Sequence, residues 1–132
     1  MLAGAGPSDL LLVSTPSYLA ALVICARARW RRVPYVLDVR DLYPQAYAEA
    51  GLVDRKGWLY RFFAARSLAM YRGARRIVAA TQGLAREVAA AAPAAAVHCV
   101  YNGFPAALAS RRPVKHARFT ACFHGVLGFF QD

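Results

Sequence analysis

Acidic side chains are scarce in this sequence. Seven Asp and Glu stand against 17 Lys and Arg in 132 residues, a formal net charge of +10. Fifteen of the 17 cations are arginine. Such a balance favours anionic partners, whether phosphorylated ligands, nucleic acid or an anionic membrane face. No single dense basic run accompanies it, so arginine spread over a solvated surface is an equal reading. Cysteine is also scarce. Cys25, Cys99 and Cys122 lie far apart, each in an apolar stretch, with no Cys-x-x-Cys or Cys/His ligand spacing. That argues against a zinc site and for buried, reduced thiols in a cytosolic protein. No metal and no cofactor are expected. An uninterrupted spanning segment is lacking too. Residues 10–26, "LLLVSTPSYLAALVICA", are broken by Ser14-Thr15-Pro16-Ser17, and no positive charge precedes them as a signal peptide requires. A span needs about 20 predominantly apolar residues, and this run divides better into a strand and a helix.

What is present is an apolar chain, 58% hydrophobic and 18% charged, which excludes disorder. Its length suits one domain or part of one. Much of the apolar fraction is alanine, as in "VAAAAPAAAV". "DLLLVSTPS" (9–17) reads as a short buried strand and turn, with Ser14 or Thr15 able to cap the next helix and Pro16 suited to its first turn. "YLAALVICARARWRR" follows as a helix whose 3.6-residue period selects Leu19, Leu22, Val23, Ala26 and Trp30 as the buried face. Its basic end complements the negative helix terminus, and Pro34 stops it.

"YVLDV" is a second strand, "DLYPQAYAEAGLVDRKG" a loop with helical turns, and "WLYRFFAARSLAMYRGA" a third helical stretch. "RRIVAAT", "QGLAREVAAAA" and "AVHCVYNG" continue as strand, helix and strand. Residues 104–117 form a polar connector, and "RFTACFHGVLG" is a last strand entering a glycine loop. The fold class expected is α/β: an incomplete Rossmann-like parallel sheet with helices on both faces.

In open parallel sheets, ligands bind outside the carboxyl ends of the strands. Polar or turn-forming residues recur at those ends here. Thr15 follows the first strand, and Asp38, Arg40 and Asp41 follow the second, closed by Tyr43-Pro44. Thr81 follows the third strand, and Asn102-Gly103 the fourth. A carboxylate there can hydrogen-bond a sugar hydroxyl, and an arginine can clamp a phosphate bidentately. Strand alternation sets Asp38 and Arg40 on one side and Asp41 on the other. The plainer alternative is an Asp–Arg pair that locks the loop, with Asp41 capping the next turn. In "HGVLGFFQD", Gly125 and Gly128 could admit a diphosphate to backbone N–H groups, with His124 and Gln131 beside them, or form an ordinary turn. His98 reads as a core or edge histidine. The third helix gathers Trp58, Leu59, Phe62, Phe63, Ala69 and Met70 in one arc with Arg66 inside it, either as a core face or as a basic aromatic face for an anionic membrane.

Taken in order, "DLLLVSTPS", "RRVPYVLDVRDLYP", "GWLYRFFAARSLAMYRGARRIVAATQGL", "VYNGF" and "FHGVLGFFQD" resemble glycosyltransferase family 4, of the two-Rossmann-domain GT-B class. The likeness runs over nearly the whole chain and is greatest to bacterial enzymes of surface polysaccharide or lipid-linked glycans. It implies that residues 1–103 are part of the acceptor-side domain, 104–117 the interdomain linker, and 118–132 the first strand and glycine loop of a donor domain. It also implies an acceptor-side cleft of Thr15, Asp38, Arg40, Asp41, Tyr43, Thr81, Asn102 and Gly103, and a donor-diphosphate loop of His124, Gly125, Gly128 and Gln131. The partners implied are a nucleotide-sugar donor and a lipid-linked or saccharide acceptor in a full-length parent, which would be cytoplasmic with a peripheral contact to the inner membrane.

The sequence departs from the family at its first strands, at most of the donor domain with its acidic motif, and at Phe129, where a basic residue is common. Met1 falls where a full enzyme would be in mid-domain. A truncated or frameshifted reading frame, inactive and poorly soluble or partly molten by itself, is therefore expected. The rival reading is a non-catalytic basic α/β module that binds an anionic membrane surface or a partner chain. A nucleic-acid binder is disfavoured, because aromatic and basic residues do not interleave on any strand face as base stacking needs.

Overall fold

The computed structural model describes residues 9–109 and 117–121. They fall into two units that divide after Tyr101. The first contains four parallel strands, β1 (Leu11–Ser14), β2 (Tyr35–Val39), β3 (Arg76–Ala79) and β4 (Val97–Cys99). The helices between them are α1 (Tyr18–Trp30), α2 (Gln45–Glu49), α3 (Trp58–Gly73) and α4 (Gln82–Ala91). The sheet order is β1-β2-β3-β4, with Val13 level with Leu37 and Leu37 level with Ile77. This is an α/β parallel sheet flanked by helices, the architecture of a partial Rossmann-like domain.

Burial differs between the two sides of the sheet. Val13, Tyr35, Leu37, Val39, Ile77 and Ala79 alternate onto one side and join a core with Ala21, Cys25, Ala28, Met70, Tyr71 and Val88 of α1, α3 and α4. In a sheet of sequential order, crossovers of one hand carry their helices to the same side. On the other side Leu12 of the edge strand is 75% exposed, Val36 and Val78 are half-buried, and His98 on the opposite edge is exposed.

Two helix faces differ from those expected. α1 buries Tyr18, Ala21, Cys25 and Ala28, while Leu19, Val23 and Trp30 are exposed. The small residues win because a thin face lets the helix lie close over Tyr35 and Leu37. On α3 the buried residues are Ser67, Met70 and Tyr71, and Trp58, Leu59 and Phe62 of the expected arc face outward.

Helix ends explain the local turns. After α1, Arg32 takes a positive φ of 56°, its N–H bonds the Arg29 carbonyl, and the Val33 N–H bonds the Ala28 carbonyl at 2.9 Å. That is a Schellman closure, and Val33, the residue after the left-handed position, is buried in the core. α2 ends in the same way, with Gly51 at φ 70° and the Leu52 N–H on the Tyr47 carbonyl.

In the second unit, Ala106–Ala109 form a short helix, α5, within the expected connector. Arg118–Ala121, where the last strand was expected to begin, have no strand. The rest of that segment lies outside the described residues. Among the described residues no helix is long and apolar enough to cross a membrane.

Candidate functional site at the carboxyl end of the second strand

β1 and β2 run in parallel with Ser14 opposite Asp38, so both side chains emerge on the more open side of the sheet. The Ser14 hydroxyl donates to Asp38 Oδ2 at 2.7 Å. Arg40, two residues on and therefore on the same side, donates from Nε to the same oxygen at 2.8 Å. The Asp38 side chain is 13% exposed and that of Arg40 38%. Both contacts converge on Oδ2, and Oδ1 has no partner among the described residues. The Asp–Arg pair considered above as a lock on the loop is therefore present, and it leaves the second carboxylate oxygen without a partner among the described residues.

Thr15 ties β1 to the same loop. It is 2% exposed, its N–H donates to the Asp38 carbonyl at 3.0 Å, and its Oγ1 accepts from the Arg40 N–H at 2.9 Å. These bonds fix the backbone on both sides of Val39. Asp41 is exposed at the bend that follows.

Tyr43 lies on the helix side. Its ring stacks on that of Tyr18 with centroids 4.8 Å apart, and Tyr47 lies 4.8 Å from Tyr43 in a tilted arrangement. The Tyr43–Pro44 peptide is cis. Ser67 of α3 donates to the Tyr43 carbonyl at 2.8 Å. The Tyr18 hydroxyl donates to the Phe63 carbonyl at 3.0 Å and lies 2.8 Å from Ser67 Oγ, so the two hydroxyls share one hydrogen bond. Burial raises the Tyr18 hydroxyl above its ordinary pKa, with the Ser67 bond acting against it. Burial first, and the neighbouring Asp41 carboxylate second, raise Tyr43. Next along the chain, Gln45 Oε1 is buried with no hydrogen-bond partner.

Of the sequence-predicted cleft residues, Thr15, Asp38 and Arg40 are joined by direct bonds, and Asp41 and Tyr43 continue the same loop. Thr81 caps α4, accepting the Leu84 N–H at 3.2 Å. Asn102 and Gly103 belong to the second unit. His124, Gly125, Gly128 and Gln131 lie outside the described residues. Sequence reasoning missed Ser14, Tyr18 and Ser67 as supports of the loop. Ser14 had a signal, since it adjoins Thr15 at a strand end. Ser67 had one as well, as a small polar residue in an apolar arc. No group of His, Cys, Asp and Glu able to hold a metal occurs among the described residues.

The arrangement offers a carboxylate with a bound guanidinium on a rigid turn, suited to hydrogen-bonding hydroxyl groups. The family model of the glycosyl transferase 4-like domain matches residues 1–103. No curated protein and no solved structure matches the chain. The rival expectation of a non-catalytic basic module is not favoured by this match.

Proposed function

The chain belongs to the glycosyl transferase 4-like domain family, and we propose that its first unit supplies the acceptor side of a transferase that moves a sugar from a nucleotide-sugar donor to a lipid-linked or saccharide acceptor. The observation that carries this reading is the Asp38 carboxylate, held by Ser14 and Arg40 through Oδ2, with Oδ1 unengaged among the described residues. Oδ1 would accept a hydrogen bond from an acceptor hydroxyl and orient it. Asp41 and Tyr43 would border the acceptor along the same loop, and Thr81 on the neighbouring strand end.

Glycosyl transfer gathers negative charge on the departing diphosphate, which backbone amides and basic groups stabilise. In this proposal that task falls to the loop of His124, Gly125, Gly128 and Gln131, with residues 104–117 as linker to a donor domain of which 118–132 are the start. Turnover then requires a complete donor domain in the parent, which would work in the cytoplasm. No residue is assigned as the catalytic base.

Saturation-transfer NMR on the chain, with a library of oligosaccharides and with uridine and thymidine diphosphate sugars, tests the assignment. Saccharide signals that weaken about tenfold in Asp38→Asn support it, since one hydrogen bond to a charged group is worth roughly that. Saccharide contacts unchanged in Asp38→Asn, or none across the library, overturn it.

A further inference from the structure

The more open side of the sheet carries a row of four side chains at one level. Ser14 stands opposite Asp38, Asp38 opposite Val78, and Val78 opposite His98. Ser14 and His98 are exposed, and Asp38 and Val78 half-buried. The ladder continues one residue past the strands. The Ala80 N–H donates to the Val39 carbonyl at 3.3 Å, and the Val100 N–H to the Ala79 carbonyl at 2.9 Å. Alternation therefore puts Arg40, Ala80 and Val100 on the same side, one step nearer the carboxyl ends. β3 contributes only the short side chains of Val78 and Ala80, both half-buried, between longer ones on β2 and β4. The result is a shallow trough along β3, with Asp38 and Arg40 on one wall and His98 and Val100 on the other.

The polar groups of the two walls do not meet. Two strand spacings, about 10 Å, separate the backbones of Asp38 and His98. Asp38 is bonded through Oδ2 to Ser14 and Arg40, and Oδ1, which can only accept, has no partner among the described residues. The exposed His98 imidazole, when neutral, can donate at one ring nitrogen and accept at the other. An apolar floor with a few polar groups converging on it orients a ligand of matching outline. A pyranose has that outline: its C–H face can rest on Val78 and Ala80 while hydroxyls at opposite edges reach the two walls. A phosphate is a poorer match, because Asp38 and Arg40 form a pair that is neutral as a unit.

We propose that His98 is a second acceptor-binding residue, and that one pyranose ring of the acceptor lies across Val78 with one hydroxyl on Asp38 Oδ1 and another on His98. The substrate class rests on the glycosyl-transfer reading; the far wall of the site and the lie of the ring go beyond it. His98 orients the ring, and no proton transfer is assigned to it.

NMR of the chain with labelled histidine rings and valine methyls, titrated with the same oligosaccharide library, tests this. A bound saccharide should shift the His98 ring signals and show nuclear Overhauser contacts from its ring protons to the Val78 methyls. His98→Ala should weaken binding about fivefold, roughly what one neutral hydrogen bond is worth. His98→Gln, which keeps a donor and an acceptor, should restore most of that. The position is exposed, so circular dichroism of both variants should stay that of the parent chain. If Asp38→Asn weakens binding while the His98 signals stand still and His98→Ala binds like the parent, the role of His98 is overturned and the acceptor reading stands. Binding that depends on His98 but not on Asp38 overturns the bridging ring. No binding of any saccharide overturns both.

Discussion

Gly73 closes against Tyr35: a Cβ on Gly73 would stand 2.6 Å from the Tyr35 hydroxyl and 2.6 Å from Arg29 Cδ. That hydroxyl donates to the Met70 carbonyl at 2.7 Å. The glycine at the end of α3 is therefore needed for close approach to β2, and not for a left-handed turn. Gly73→Ala should displace Tyr35 from Met70 and cost about 1–3 kcal/mol, the usual penalty of overpacking a filled core. The urea midpoint of the variant measures it, and an unchanged midpoint would show that α3 shifts freely.

Ser67 connects α3 to the loop after β2. Ser67→Ala leaves the Tyr43 carbonyl and the buried Tyr18 hydroxyl each short of a partner. A loss of about 1–3 kcal/mol is expected. Tyr18→Phe keeps the Ser67 bond to Tyr43 and should cost less. Amide hydrogen exchange over residues 43–48 should accelerate in Ser67→Ala and not in Tyr18→Phe. Equal acceleration in both would show that the Tyr18 hydroxyl, and not the Ser67 bond to Tyr43, holds this turn.

Arg32 adopts the left-handed conformation at the α1 Schellman closure, where an L side chain costs about 1 kcal/mol or more relative to glycine. Arg32→Gly should raise stability by up to about 1 kcal/mol, less what glycine adds to the entropy of the unfolded chain. Thermal melts of the two proteins decide the sign.

Alkaline pH should unfold the first unit. Burial pushes the Cys25 thiol up to about 12 against the effect of its Tyr35 hydrogen bond, and burial pushes the Tyr71 hydroxyl up to about 12 as well. Tyr18 and Tyr35 move the same way, again chiefly by burial. The folded state then holds these protons more tightly than the unfolded chain does. Their contribution is whole below the unfolded values near 9 and 10 and is lost as pH rises toward 12. Melting temperature should be level to about pH 9 and fall above it, and Cys25→Ala should soften the first part of the fall.

The strands and helices were legible because local periodicity, Pro34 and Pro93, and the strand-end polar residues all agreed. The buried side of α1 was not. Leu19, Val23 and Trp30 are its most hydrophobic candidates, yet Ala21, Cys25 and Ala28 face the sheet. Hydrophobic periodicity ranks side chains by apolarity, whereas packing over the Tyr35 and Leu37 positions selects by thickness. The link of Thr15 and Asp38 to Arg40 was foreshadowed, since all three follow strand ends. The link of Tyr43 to Tyr18 and Ser67 was not, because its partners lie 25 and 24 residues away and meet only when α1 and α3 pack together.

One hydroxyl network thus joins α1, α3 and the turn at Tyr43. Transplanting residues 38–44 alone onto another parallel sheet would carry the motif without its alignment. A faithful graft has to bring Tyr18 and Ser67 along, which makes the smallest portable version of this site a three-segment unit and not a peptide.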